Sequence, residues 1–158
     1  NLEFLIKAFQ EFIKKHPEYY LILVGNKNYF YDRLEKETMH TNVIFSGYLS
    51  DDKLAYYYKS AKAYIFPSLY EGFGLPPLEA MVHGLPVLSS NSSCLPEVLE
   101  HSVLYFDPSD QNDLLAKMEK IIANSNLRDL LLSRGYQQIK KYSWDKMTKE
   151  ILSIYASK

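Results

Sequence analysis

Glu71 and Glu79 bracket the run Gly72-Phe73-Gly74-Leu75-Pro76-Pro77, an apolar, glycine- and proline-studded loop between two acids. Gly72 and Gly74 admit backbone conformations closed to other residues and let a ligand come close to the main chain. The paired prolines suit the opening positions of a helix. The amides of Phe73, Gly74 and Leu75 then stand just before a helix N-terminus, where unpaired N–H groups and the helix dipole favour an anion. Pro76 and Pro77 donate nothing, so a phosphate would be met mainly by those three amides. Glu79, expected in the first helical turn, is spaced to accept two hydrogen bonds from a vicinal diol such as a ribose. Glu71, on the other side of the loop, can address a group beyond the phosphates. A diphosphate flanked by hydroxyl-rich sugars suits this arrangement.

The same residues admit plainer roles. Glu79 can simply favour its helix dipole, an effect of about 0.3–1 kcal/mol, Glu71 can be a solvated loop charge, and the glycines can serve a tight turn. Neither G-x-G-x-x-G nor G-x-x-x-x-G-K-[ST] occurs, so the usual nucleotide fingerprints do not decide between these readings.

The elements that must carry the loop follow from periodicity. Leu2, Leu5, Ile6, Phe9, Phe12 and Ile13 recur at helical spacing behind a potential N-cap at Asn1. Residues 19–25, "YYLILVG", form a short apolar run closed by glycine, as expected of a strand buried on both faces. A helix is expected between Asn26 and His40, and a strand at 42–47. Ser50, Asp51 and Asp52 then open another helix. Residues 63–68 form a third buried strand, the helix from near Pro76 stops at Gly84, and strands follow at 86–90 and 103–107. Helices are expected around Leu114 to Ile122, from Leu127 to Tyr142 and from Trp144 to Tyr155. Strands alternating with helices predict an α/β fold: a Rossmann-like, doubly wound parallel sheet with helices on both faces and additional C-terminal helices. Ligands of such sheets sit outside the strands' carboxyl ends. That selects the loops Gly25-Asn26-Lys27, Gly47-Tyr48-Leu49, Tyr70 to Leu75 and Ser89 to Cys94.

Composition narrows the function. With 158 residues, 47% hydrophobic and 23% charged, the chain reads as one globular domain. A net charge of −1 without long charge runs offers no broad footprint for nucleic acid. Cys94 is the sole cysteine and reads as structural, which excludes an intrachain disulfide framework. His16, His40, His83 and His101 are scattered, so no metal site is expected. His83, beside a helix end, reads as a dipole partner or packing residue, Lys27 and Lys53 as solvated, and Tyr56 to Tyr58 as packing at helical spacing. No run suits a membrane span and no signal peptide is visible. The start at Asn1, directly before a helical pattern, leads us to expect a fragment of a longer protein.

With these residues assembled, the sequence resembles the C-terminal, donor-binding domain of glycosyltransferase family 4, retaining enzymes of GT-B type. The central block "FPSLYEGFGLPPLEAMVHGLPVLSSNSSCLPEV", with its E-x7-E motif at Glu71 and Glu79, carries the likeness, and "NLEFLIKAF", "LILVG", "VIFSGYLSDDKL", "VLYFDPSD" and "YSW" follow the family's order. The resemblance implies transfer of a hexosyl-type sugar from a UDP-, GDP- or ADP-linked donor to a glycan, lipid or small-molecule acceptor, with no cofactor and no metal. It assigns Glu79 to the ribose, the amides of Phe73 to Leu75 to diphosphate and sugar, Glu71 to the donor sugar near the reacting carbon, and the loop at Tyr48 and Leu49 to the base. It also implies that an acceptor domain and a first strand-loop segment, bearing an arginine and a lysine, are missing before Leu2, so that the isolated fragment is inactive. A cytoplasmic location is implied, with peripheral association at the inner face of a membrane as a further option. The alternatives are a non-catalytic nucleotide-sugar-binding module, or a receiver-like regulator, which the absence of an early acidic cluster disfavours.

Overall fold

A computed structural model of the chain describes residues 1–38 and 42–157; His40, in the tail of the helix expected up to that residue, lies outside the described residues. The chain runs through α1 (Leu2–Ile13), β1 (Leu21–Val24), α2 (Tyr29–Glu37), β2 (Val43–Gly47), α3 (Asp51–Ser60) and β3 (Tyr64–Phe66). It continues with α4 (Leu75–Val82), β4 (Val87–Ser90), α5 (Leu95–Leu99), β5 (Leu104–Phe106), α6 (Gln111–Ala123), α7 (Ser125–Ile139) and α8 (Trp144–Ala156). This is the expected α/β fold, with parallel strands flanked by helices.

The periodic stripe of α1 is buried at Leu5, Ile6, Phe9 and Phe12, which join Leu21 and Leu23 of β1, Leu88 of β4 and Leu114, Met118 and Ile121 of α6 in one core. A second core forms around α4, where Leu78, Ala80 and Met81 meet Val87, Leu95 and Leu99. Between them these cores fix α1 and α6 near one set of strands and α4 beside the carboxyl end of β3. Asn1 stands at the N-cap of α1 but makes no side-chain cap bond. Its Nδ2 donates instead to the Pro108 carbonyl at 3.1 Å, just past β5.

The sheet is not continuous. β1 pairs in parallel with β2, Leu23 opposite Phe45, and β3, β4 and β5 pair in parallel, Ile65 opposite Leu88 and Leu88 opposite Leu104. Between β1 and β3 lies a slot of about 930 Å³ walled by both strands, by Leu5 and Phe9 of α1, and by Tyr57 and Tyr58 of α3. The Leu21 N–H donates to Asn42, the Gly25 N–H to Gly47 and the Tyr64 N–H to Pro86. By the alternation of a parallel ladder, the N–H groups of Ile22, Val24 and Ile65 therefore face the slot. The expectation that β1 and β3 are buried strands holds only in part, whereas β4 is buried throughout. Val24 is 42% exposed and β3 is only half-buried throughout, because each lacks a neighbour along one edge.

The structure departs from expectation at α5 and at the end of α7. α5 forms just beyond the stretch read as a loop, its Leu95, Val98 and Leu99 anchored in the second core. α7 ends at Ile139, leaving Tyr142 in the turn before α8. α8 itself buries no residue, so Trp144, Ile151, Ile154 and Tyr155 stand exposed. Among the described residues no helix is long and apolar enough to cross a membrane.

The turn just after α1 is also joined to α6 by a polar clamp, His16 Nε2 to Glu119 Oε2 at 2.8 Å. That hydrogen bond, reinforced by charge from His16 and Lys15, holds the Glu119 carboxyl below its ordinary value of 4.5. A depressed carboxyl stabilises the fold above its unfolded pKa, and this contribution disappears as pH falls through the folded one. Glu119→Gln is thus expected to lower the thermal midpoint at about pH 6 and to converge on the wild type in acid. A gap that stays constant across a pH series of melting curves would contradict the assignment.

Candidate functional site

β3 ends at Phe66 and the chain crosses Pro67 and Ser68 into the loop 69–74 before α4. Gly74 is the N-cap of α4, with φ 90° and ψ 56°. A Cβ built there would lie 2.6 Å from Leu95 Cδ2, inside the fully buried start of α5. Glycine is therefore required twice, by left-handed backbone and by contact. The turn it makes leaves the N–H groups of Gly72, Phe73, Gly74 and Leu75 without a partner among the described residues, and Pro76 and Pro77 add no donors to compete with them. At its far end α4 stops as expected, with Gly84 at φ +71° and the Leu85 N–H returning to Ala80.

Glu71 is half-buried and held firmly. Its Oε1 accepts from Ser68 Oγ at 2.7 Å, while Oε2 has no partner among the described residues. Its main-chain carbonyl accepts from Ser93 Oγ at 2.8 Å and from Cys94 Sγ at 3.2 Å. Ser90, fully buried, donates to the Ser68 carbonyl at 2.5 Å and so fixes the residue that fixes Glu71.

Glu79 is exposed and falls on the fifth residue of α4, not in the first turn as its spacing suggested. The helix begins at Leu75, a residue earlier than the proline pair indicates. Since the dipole effect fades beyond the first turn, the plain role of favouring the helix dipole weakens. Glu79 lies beside two aromatic hydroxyls. Burial, and then the Glu79 charge, pushes Tyr58 up to about 12. Tyr64 is raised as well, by burial first and then by Tyr58, Glu79 and Glu71. Both acids therefore bear on the Tyr64 hydroxyl. Tyr58 stacks on His83 at 5.4 Å, which makes His83 the packing residue its position suggested.

The other selected loops are arranged differently. The Gly25 N–H is spent on Gly47 at 3.2 Å, so Gly25 offers only the open space where a side chain would stand. Gly47 has φ +69° with the Lys27 Cε across it. Tyr48 is exposed, and Leu49 lines a shallow cavity with Asp52, Lys53, Tyr56 and Tyr57. Sequence reasoning missed the supports that come from far along the chain. Phe73 packs edge-on against Tyr142 at 5.2 Å, and Tyr142 donates to the Val98 carbonyl at 2.9 Å. No periodicity or spacing announces that contact.

Unpartnered amides at a glycine-capped helix start, flanked by two acids and at the carboxyl end of a parallel strand, mark the candidate site of this α/β domain. The chain belongs to the family described as glycosyl transferases group 1, whose pattern matches residues 1–138. It is 35% identical to O-antigen chain mannosyltransferase B of Escherichia coli over 98% of this chain and 42% of that protein. HepE of Anabaena, solved with UDP and glucose, superposes with a TM-score of 0.83 at 20% identity over 99% of this chain and 44% of that one. Sucrose-phosphate synthase of Thermosynechococcus elongatus superposes with a TM-score of 0.79 at 25% identity over 97% of this chain and 43% of that one. These neighbours have the GT-B fold. The chain spans less than half the length of each of these proteins.

Gly74→Ala tests the cap. The substitution forces a left-handed alanine against Leu95 and is expected to cost about 2 kcal/mol or more in urea unfolding. An unchanged unfolding midpoint would show that the loop can relax away from α5.

Proposed function

We propose that this chain is the donor-binding half of a retaining glycosyltransferase, carrying a nucleotide diphosphate sugar whose base is uracil, guanine or adenine. The open N–H row from Gly72 to Leu75, set between Glu71 and Glu79, carries this reading. In it the diphosphate lies on those amides and Glu79 takes the ribose diol. The free oxygen of Glu71 holds a hydroxyl of the donor sugar near the reacting carbon. Tyr48 and Leu49 flank the base. Departure of a diphosphate builds negative charge on its oxygens, and preorganised N–H donors stabilise that charge more in the transition state than in the bound donor. The mannosyltransferase named among the relatives supports a hexose as the transferred group.

The slot supports the expected division of the chain. A parallel strand placed between β1 and β3 would meet the slot-facing amides of Ile22, Val24 and Ile65 and lie over Leu5 and Phe9. It would then enter α1 beside Asn1, which itself lines the slot. In this reading the strand-loop segment before α1 fills that place and brings the basic groups the loop lacks, and the acceptor is bound by a further domain. We place the whole protein in the cytoplasm, peripheral to the membrane where its acceptor is lipid-linked.

Full-length protein assayed against a panel of nucleotide sugars tests the site. Glu71→Gln is expected to lower kcat by about 100-fold, through loss of positioning at the reacting carbon. Glu79→Gln, which removes a charged pair of hydrogen bonds to the ribose, is expected to raise the donor KM about 10- to 100-fold. Wild-type kinetics in both variants would reject the assignment. Amide exchange of the full-length protein tests the slot separately. The Ile22, Val24 and Ile65 amides are expected to exchange as slowly as that of buried Leu88, whereas rapid exchange would mean an unfilled slot.

A further inference from the structure

Two non-glycine residues among those described hold a positive φ, and Ser93, at φ 57°, is one of them. Left-handed backbone strains a serine and suits a glycine. A strained residue that persists points to something its side chain does there. The Ser93 hydroxyl accepts from the Glu71 N–H at 3.4 Å and donates to the Glu71 carbonyl at 2.8 Å, gripping both main-chain polar groups of one residue. Ser68 grips the carboxylate of that residue, at 2.7 Å through Oε1, and Ser90 holds Ser68 in turn. Glu71 is thus fixed at its N–H, its carbonyl and one carboxylate oxygen. Oε2 is left without a partner among the described residues.

We propose that Ser93 and Ser68 are positioning residues for Glu71, an inference that rests on the role given to Glu71 above. Ser93 sets where the Glu71 main chain lies. Ser68 sets the rotation of its carboxylate, so that Oε2 meets the donor sugar in a single direction. The hydroxyl of Ser93 offsets the strain of its own backbone by these two bonds. A glycine at this position would keep the turn and lose the grip. The two bonds tie the β4–α5 connection to the β3–α4 loop, so the element that backs Gly74 through Leu95 also aims the acid beside it.

The test uses full-length protein and release of nucleoside diphosphate from UDP-, GDP- and ADP-linked glucose and mannose. Ser93→Gly is expected to keep or raise the thermal midpoint while lowering kcat about tenfold with donor KM nearly unchanged, as loss of positioning requires. Ser68→Ala is expected to show the same split, and Ser68→Thr, which keeps the hydroxyl, to restore kcat. A purely structural serine predicts the opposite for Ser93→Gly: a relaxed turn and full turnover, a result that overturns the proposal for Ser93. Equal kcat in Ser68→Ala and wild type overturns it for Ser68, and that pair decides even where Ser93→Gly proves unstable. Should Glu71→Gln retain wild-type kcat, or the wild type act on no member of the panel, the reading of Glu71 falls and this inference with it.

Discussion

No atom larger than hydrogen fits between the Gly74 Cα and the side chain of Leu95. A left-handed glycine stands at the head of α4 in that place, against the start of α5. The N–H groups of Gly72, Phe73 and Gly74 at this cap have no partner among the described residues. Glu79 follows further along α4, where its charge bears on Tyr58 and Tyr64. Leu95 can act as a stop because it is buried in the core shared by α4, β4 and α5. The loop is in effect cast against a rigid neighbour, and Ser93 and Cys94, just before Leu95, extend the same mould to Glu71.

Rigidity of that kind depends on β4. Its residues are buried on both faces and it pairs with β3 on one side and β5 on the other. Ser89 and Ser90, wholly inside, satisfy their hydroxyls on nearby carbonyls, which lets a polar pair end the central strand and reach toward the loop. β1 and β2 form a separate pair, steadied by Tyr31, whose hydroxyl accepts from the Gly47 N–H at 2.6 Å. The half of the molecule that shapes the loop 69–74 is therefore the well-packed half. The half beside the proposed base site has an open flank.

Much of this was legible in the residues. Strands at 21–24, 43–47 and 87–90 announce themselves as apolar runs ended by glycine or serine, and α6 by the spacing of Leu114, Met118 and Ile121. The loop could be read because glycine and proline constrain the backbone by their own covalent structure, whatever surrounds them. Glu79 was misplaced within its helix, since a proline pair marks a start only to within a residue or so. Periodicity alone did not reveal the discontinuity between β1 and β3, because an apolar run looks the same whether or not a neighbour completes it; only the family resemblance implied a further strand-loop segment before Leu2. Ser93, Leu95 and Tyr142 were silent for a related reason. Their importance comes from residues far away in sequence, and a serine in a polar stretch carries no sign of the backbone angle it will adopt.

α8 has a bearing on how the molecule behaves in a test tube. Its Trp144, Ile151, Ile154 and Tyr155 present greasy surface along a helix that nothing among the described residues covers. Patches of this sort draw molecules together, and salts excluded from protein surfaces deepen the attraction. A preparation of these 158 residues alone would keep best when dilute and low in sulfate, and would come out of solution early on salting. The tail that contributes least to the packed interior thereby governs solubility.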